Sequence, residues 1–304
     1  MATTSGIKTV TAIIDGQTYT LTLNSDTGKY EATVQAPSKS SWNKEGHYYP
    51  VEIKATDNAG NSATANDKSP TIGEHLKLKV KEKVAPTVTD ITPTSGAYLA
   101  TSVPKITAAL KDADSGVDTA SLVLKIDNTP VDNSKITKNP TDGGYKIEYT
   151  VEKALNDGQH TVSIEVADND GNKCAPATST FNVMATAPAL TINKPADGLK
   201  TKESALTVEG TTNTDATITI KLNGSDQGSV TVDKMSGAFT KALTLAVEGD
   251  NEIEIVATNP AGVKTTVKRT VIYDITAPTI SAVAITPNPV DAGKTYTISV
   301  TVTD

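Results

Sequence analysis

Val162-Ser163-Ile164-Glu165-Val166-Ala167-Asp168-Asn169-Asp170-Gly171-Asn172 reads as a strand running into a tight turn. Val162, Ile164 and Val166 alternate with Ser163 and Glu165, the period-two pattern of a half-buried antiparallel strand. Asn, Asp and Gly tolerate positive φ, so the run that follows closes a hairpin. The same unit stands upstream, where Val51, Ile53 and Ala55 alternate with Glu52 and Lys54 before Asp57-Asn58-Ala59-Gly60-Asn61. It returns downstream, where Ile253 and Ile255 alternate with Glu252 and Glu254 before Asn259-Pro260-Ala261-Gly262.

Two further markers keep the same spacing. Val84-Ala85-Pro86-Thr87 recurs as Thr186-Ala187-Pro188-Ala189 and as Thr276-Ala277-Pro278-Thr279. Proline suits a first edge strand, where a lost N–H is tolerated. A strand earlier in each unit carries Val10, Ala12 and Ile14, then Leu122, Leu124 and Ile126, then Ile218, Ile220 and Leu222. Asp15-Gly16, Asp127-Asn128 and Asn223-Gly224 close these strands. No segment holds a 3.6-residue period. About seven short strands per ~100 residues predicts an all-β chain of tandem immunoglobulin-like β-sandwiches.

Composition agrees with several thin cores. The 304 residues are 37% hydrophobic and only 4% aromatic. The net charge of −7 is spread along the chain and argues against a nucleic-acid surface. Cys174 is the single cysteine, so no internal disulfide forms. No apolar run approaches the ~20 residues of a membrane span, so no membrane insertion is expected. The start, Met1-Ala2-Thr3-Thr4-Ser5-Gly6, has neither the basic nor the apolar region of a signal peptide.

The Ala-Pro-Thr starts, the Asp114-Ser115-Gly116-Val117 step and the Asp-Asn-Ala-Gly-Asn turn resemble bacterial immunoglobulin-like repeats. The whole chain also resembles Ig-like repeat proteins encoded among tail genes of Firmicutes prophages. That resemblance implies a structural part of an extracellular, cell-surface or virion-associated assembly. Its partners would be itself and a phage tail or cell-surface component. It implies no catalytic residue and no cofactor.

The repeats divide the chain into a domain at 1–84, two complete domains at 85–185 and 186–275, and a two-strand segment at 276–304. The first domain starts at Ser5-Gly6-Ile7, which matches Ser115-Gly116-Val117, so its first two strands are absent. Residues 276–304 supply an Ala-Pro-Thr strand and a second strand from Tyr296 to Val302, up to Asp304, which matches Asp114. Each half carries what the other lacks. The expected donor residues are Ile280, Val283, Ile285, Ile298, Val300 and Val302; the expected acceptors are Ile7, Val10, Ala12, Ile14, Val51 and Ile53. Strand donation can then join copies head to tail, close one copy on itself, or receive strands from a different protein.

Other candidates have plainer readings. Trp42, Tyr48 and Tyr49 form an aromatic loop that could serve a monomeric adhesin or spacer binding a glycan or protein. Trp42 falls near the position of Leu155, which favours a core role, and leaves Tyr48 and Tyr49 as the exposed pair. Asp112, Asp114, Asp168 and Asp170, with Asp118 nearby, are oxygen ligands of the type Ca²⁺ takes, but no complete Ca²⁺ loop is present and turn chemistry accounts for them. His47, His75 and His160 lack metal spacing. Between residues 76 and 83, alternation turns Leu76, Leu78 and Val80 inward and the lysines outward. No nucleophile elbow, phosphate loop or zinc-protease motif occurs, and a non-enzymatic role is expected. For a head-to-tail fibre, three sandwiches of roughly 35–40 Å give an axial repeat on the order of 110 Å. Electron micrographs of the assembled chain should show that spacing.

Overall fold

The structure, a computed structural model, describes residues 5–304; Met1–Thr4, the start of the stretch read for a signal peptide, lie outside the described residues. Regular structure in the described residues is β-strand apart from three single-turn 3-10 segments. No helix among them is long and apolar enough to cross a membrane. One compact unit holds the residues up to Ala97 together with Val103–Asn182, and a second holds Tyr98–Ser102 with Val183–Asp304.

The three alternating strand pairs form in one shared register. Ala12 lies opposite Ile53, Leu124 opposite Ile164, and Ile220 opposite Ile255. The turns that close the first strand of each pair have the chemistry that the sequence calls for. Asp15 and Gly16 take φ of 49° and 78°, Asp127 and Asn128 take 49° and 65°, and Asn223 and Gly224 take 50° and 82°. Positive φ at both central residues matches the right-handed twist of the flanking strands. At the second turn of each unit a side chain caps the loop. Asp57, Asp168 and Asn259 each accept, through Oδ1, the backbone N–H four residues on, at 2.8, 2.7 and 2.9 Å.

In the middle repeat these strands build one sheet that includes, in order, Thr129–Pro130, Val117–Ile126, Gly158–Asp168 and Ala177–Val183. A second sheet runs Thr137–Thr141, Gly144–Thr150, Lys105–Lys111, Thr87–Thr92. Ile106, Leu110, Leu124, Ile147, Ile164 and Phe181 are fully buried, as the core of a two-sheet sandwich requires. In the third repeat, the sheet Leu190–Lys194, Ala205–Thr212, Ala238–Thr244 accompanies a five-stranded sheet centred on Gly249–Thr258 and Lys264–Tyr273. Val208, Ile220, Phe239, Ile253, Ile255 and Val271 fill their core.

Residues 5–84 differ. They contribute strands to one sheet only, in the order Lys29–Glu31, Gln17–Asn24, Ile7–Ile14, Tyr49–Asp57, Ser62–Ala65, with Lys77–Leu78 also paired to Tyr49–Asp57. The strand expected across residues 76–83 shrinks to Lys77–Leu78, between the 3-10 segment Gly73–Leu76 and Val80, whose N–H and carbonyl bond Ser41 instead of a neighbouring strand. Thr279–Thr286 and Thr297–Thr303 form a separate two-stranded antiparallel sheet.

One turn carries a proton-sensitive clamp. Asp127 accepts Thr161 N–H at 2.9 Å and His160 Nδ1 at 2.6 Å, while His160 Nε2 lies 2.8 Å from the Asn156 carbonyl. Both ring nitrogens face acceptors, so the doubly protonated ring satisfies both. Burial pulls the His160 pKa down, but the Asp127 carboxylate and the Asn156 carbonyl outweigh it and hold it above the ordinary histidine value. A raised folded-state pKa contributes stability that is fully present below the unfolded value, about 6.5, and is lost as pH rises through the folded value. Thermal melts from acid to alkaline pH should show the middle sandwich weakening over that window, and His160→Gln should remove this component.

Candidate functional site

The two-stranded sheet at residues 279–303 sorts its side chains completely by face. Ile280 pairs with Val302, Val283 with Val300, and Ile285 with Ile298, so all six aliphatic side chains share one face. The other face carries the pairs Thr279 with Thr303, Ala282 with Thr301, Ala284 with Ser299, and Thr286 with Thr297. The apolar face is open. Ile298, Val300 and Val302 are 58%, 49% and 54% exposed, whereas Ile106, Ala108 and Leu110, at the same places in the middle repeat, are 0%, 1% and 0% exposed. The pairing repeats as well. Thr279 opposite Thr303 and Ile280 opposite Val302 copy Thr87 opposite Lys111 and Val88 opposite Leu110, each followed by a register shift.

The sheet of residues 5–84 is open in the complementary sense. Of the six residues read as acceptors, Val10 and Ala12 are buried, Ile14, Val51 and Ile53 are half-buried, and Ile7 is exposed. Their counterparts Ile126, Val162 and Ile164 in the middle repeat are all buried. A hollow of 330 Å³ lies over this face, lined by Ile14, Val34, Val51 and Leu78 among others. Val34 was not among the expected acceptors. Its two-residue spacing from Tyr30 and Ala32 after the Gly28 turn is the signal that marks it.

The four aspartates read as cation candidates split into two pairs. Asp112 turns inward and accepts the N–H groups of Asp114 and Gly116 at 3.1 and 2.7 Å. Asp168 does the same for Asp170 and Asn172, at 2.9 and 2.7 Å. Asp114 and Asp170 instead reach residues of the first repeat. Asp114 accepts Ser40 N–H at 3.1 Å, and Asp170 accepts Glu82 N–H at 3.0 Å. Glu82, missed in the sequence, is the centre of this junction. Its Oε1 accepts both the N–H and the hydroxyl of fully buried Ser115, at 3.1 and 2.9 Å. Glu82, Asp112 and Asp168 each bring a carboxylate oxygen within 4.8 Å of the others, and among the described residues these three are the ones that could hold a cation. The corresponding residues at the start of the third repeat are Met184, Thr212 and Asn259, where the Asn259 amide donates to the carbonyls of Met184 and Thr186 at 3.0 and 3.1 Å.

The aromatic loop corrects one expectation. Tyr49 is 2% exposed, and its hydroxyl donates to the Lys39 carbonyl at 3.1 Å, so it is core and unavailable to a ligand. The alternation along Tyr49–Asp57 carries it inward with Val51 and Ile53. Tyr48 is half-buried and donates to Asp67 at 2.7 Å. Trp42 is half-buried and stacks on His47, with ring centroids 4.2 Å apart. A hollow of 580 Å³ in the middle repeat is lined by Tyr149, Leu155, Asp127 and His160 among others. Its titratable pair is occupied in the clamp described above.

These sheets define tandem immunoglobulin-like sandwiches. A family model described as glucodextranase, domain B, matches residues 188–275. Bacillopeptidase F of Bacillus subtilis (strain 168) is 32% identical over 127 residues, which are 42% of this chain and 8% of that protein. The chain thus spans a small fraction of that relative. Among solved structures, the fibronectin(III)-like modules of Clostridium thermocellum CbhA cover 62% of this chain and 94% of their own, at 17% identity and a TM-score of 0.37. The titin fragment I67–I69 covers 89% of each chain, at 13% identity and a TM-score of 0.44.

The carboxylate triad has a measurable cost. Like charges a few ångströms apart repel by roughly 1–3 kcal/mol at the effective dielectric of a partly buried site. Glu82→Gln keeps an oxygen for Ser115 and removes one charge. With a chelator present, the substitution should raise the melting temperature of the middle sandwich by about 4–8 °C for each kcal/mol of net repulsion removed.

Proposed function

We propose that this polypeptide is a structural or adhesion-type array of immunoglobulin-like modules whose copies join head to tail. In this reading the ribbon at residues 279–303 of one copy lays its apolar face on the open sheet of residues 5–84 of the next. The observation that carries it is the matched pair of uncovered faces. A ribbon of six aligned aliphatic side chains stands exposed where the middle repeat buries their counterparts. A lone two-stranded ribbon is marginal in water, and an open sheet face with free edges invites pairing. The role needs no catalytic residue, cofactor or nucleic acid, and fits a place outside the cell, at its surface or on a virion.

Burying these side chains together with the acceptor face gains on the order of 10 kcal/mol. Association and ordering cost a comparable amount. The net contact is the small difference between the two, so assembly depends on concentration. The adhesin reading is the weaker one, since Tyr49 lies in the core and Tyr48 is tied to Asp67.

Sedimentation velocity from about 1 to about 300 µM should show oligomers that grow with concentration. Deletion of residues 276–304 should leave a single small species at every concentration. Val300→Asp should do the same with unchanged circular dichroism, because Val300 is exposed in the isolated chain. A full chain that stays monomeric throughout would contradict the proposal, as would oligomers that survive the deletion.

A further inference from the structure

The middle repeat shows in full the contact that the first repeat leaves open, and it fixes which residues would meet. There Lys105–Lys111 pairs antiparallel with Gly144–Thr150, so that Leu110 lies opposite Tyr145, Ala108 opposite Ile147, and Ile106 opposite Tyr149. Gly144–Thr150 is also the second strand of a hairpin, paired to Thr137–Thr141 with Thr141 opposite Gly144. In the first repeat the matching hairpin is Gln17–Asn24 with Lys29–Glu31, where Asn24 lies opposite Lys29. Lys29 therefore stands where Gly144 does, and the segment through Gln35 matches the strand through Thr150. The third repeat agrees, with Ala238 in that position opposite Thr211 and Leu243 opposite Leu206.

The free edge is visible in the backbone. Gly144–Thr150 is strand throughout, held on both sides. The first repeat's strand ends at Glu31, and Ala32–Gln35 carries no ladder. Ala32 and Val34 are exposed, whereas Ile147 at the place of Ala32 is fully buried.

We infer that the docking edge is Lys29–Gln35 and that its occupant is Thr297–Thr303 of a second copy, antiparallel, in one register. Tyr30 lies opposite Val302, Glu31 opposite Thr301, Ala32 opposite Val300, Thr33 opposite Ser299, and Val34 opposite Ile298. The assignment rests on the head-to-tail reading and adds the site and register to it. Three features select this alignment. It sets Val302, Val300 and Ile298 on the core side and Thr301 and Ser299 on the solvent side; a one-residue slip reverses every one of them. It brings Ile298 to Val34, on the wall of the 330 Å³ hollow. The two apolar faces plus the paired backbones bury an area on the order of 1,000 Å², the lower end for a specific contact. In the same register Asp304 falls where Asp112 stands in the middle repeat, which corrects by two residues the match to Asp114 read from the sequence; it lies beside the acceptor's Gly28 carbonyl, as Asp112 N–H donates to the Gly143 carbonyl at 3.0 Å.

Disulfide trapping reads the register directly. In the middle repeat the backbone bonds from Asp112 to Gly143 and from Val151 to Pro104, both 3.0 Å, make Thr107 and Glu148 a non-hydrogen-bonded pair. Such pairs bring Cα atoms to about 4.5 Å, close enough to bridge. The matching pair is Ser299 and Thr33. In a Cys174→Ser background, Thr33→Cys chains are mixed with Ser299→Cys chains, and in parallel with Thr301→Cys chains. The inference expects several-fold more disulfide-linked dimer with Ser299→Cys than with Thr301→Cys. Equal yields, or more with Thr301→Cys, in chains that still associate by sedimentation would overturn the register and leave the head-to-tail reading standing. Failure of both association and trapping would overturn the two together. A bridge that forms only inside one doubly substituted chain would overturn exchange between copies.

Discussion

A β-sheet with one apolar face is stable in water only when a second sheet covers that face. The contrast among the repeats follows from where that condition is met. In the middle and third repeats the second sheet is present, and the residues at the core of each strand pair, Leu124 with Ile164 and Ile220 with Ile255, are shut off from solvent. In the first repeat the same pair, Ala12 with Ile53, sits in the same register beneath a face left half open. The ribbon of residues 279–303 is the converse, two paired strands with their apolar side bare.

The joint between the first two repeats obeys a different constraint. It is polar, built from backbone N–H groups of one repeat capped by acidic side chains of the other, and from Glu82 serving buried Ser115. Charge-assisted bonds of this kind are stronger than neutral ones and fix orientation as well. They also gather three carboxylates in one place. The third repeat begins with Met184, Thr212 and Asn259 at the corresponding places, and there the Asn259 amide donates to backbone carbonyls. One fold therefore uses two different sets of bonds at the same place.

The period of two in Val162–Val166 and its repeats was enough to place the strands, because a half-covered sheet must alternate. The Asp-Gly and Asn-Gly pairs placed the turns, because few other residues accept positive φ twice running. What could not be read was contact made across distant segments. Glu82 looks like one more charge in a lysine-rich linker, and only folding brings it to Ser115. Tyr49 looked exposed beside Tyr48 because an aromatic doublet hides which member begins the inward alternation. The short Lys77–Leu78 pairing escaped for a related reason, since a 3-10 turn at Gly73–Leu76 leaves no signature distinct from an alternating strand.

Backbone protection at the open edge tests the central claim most directly. Amide hydrogen exchange of Ala32–Gln35 and Thr297–Thr303 can be followed while only the protein concentration changes. If the ribbon of one copy covers the sheet of another, exchange in both segments slows together as concentration rises, while the core strand Gly158–Asp168 stays unchanged. Exchange in the two segments that is independent of concentration, or protection of one without the other, would contradict the account.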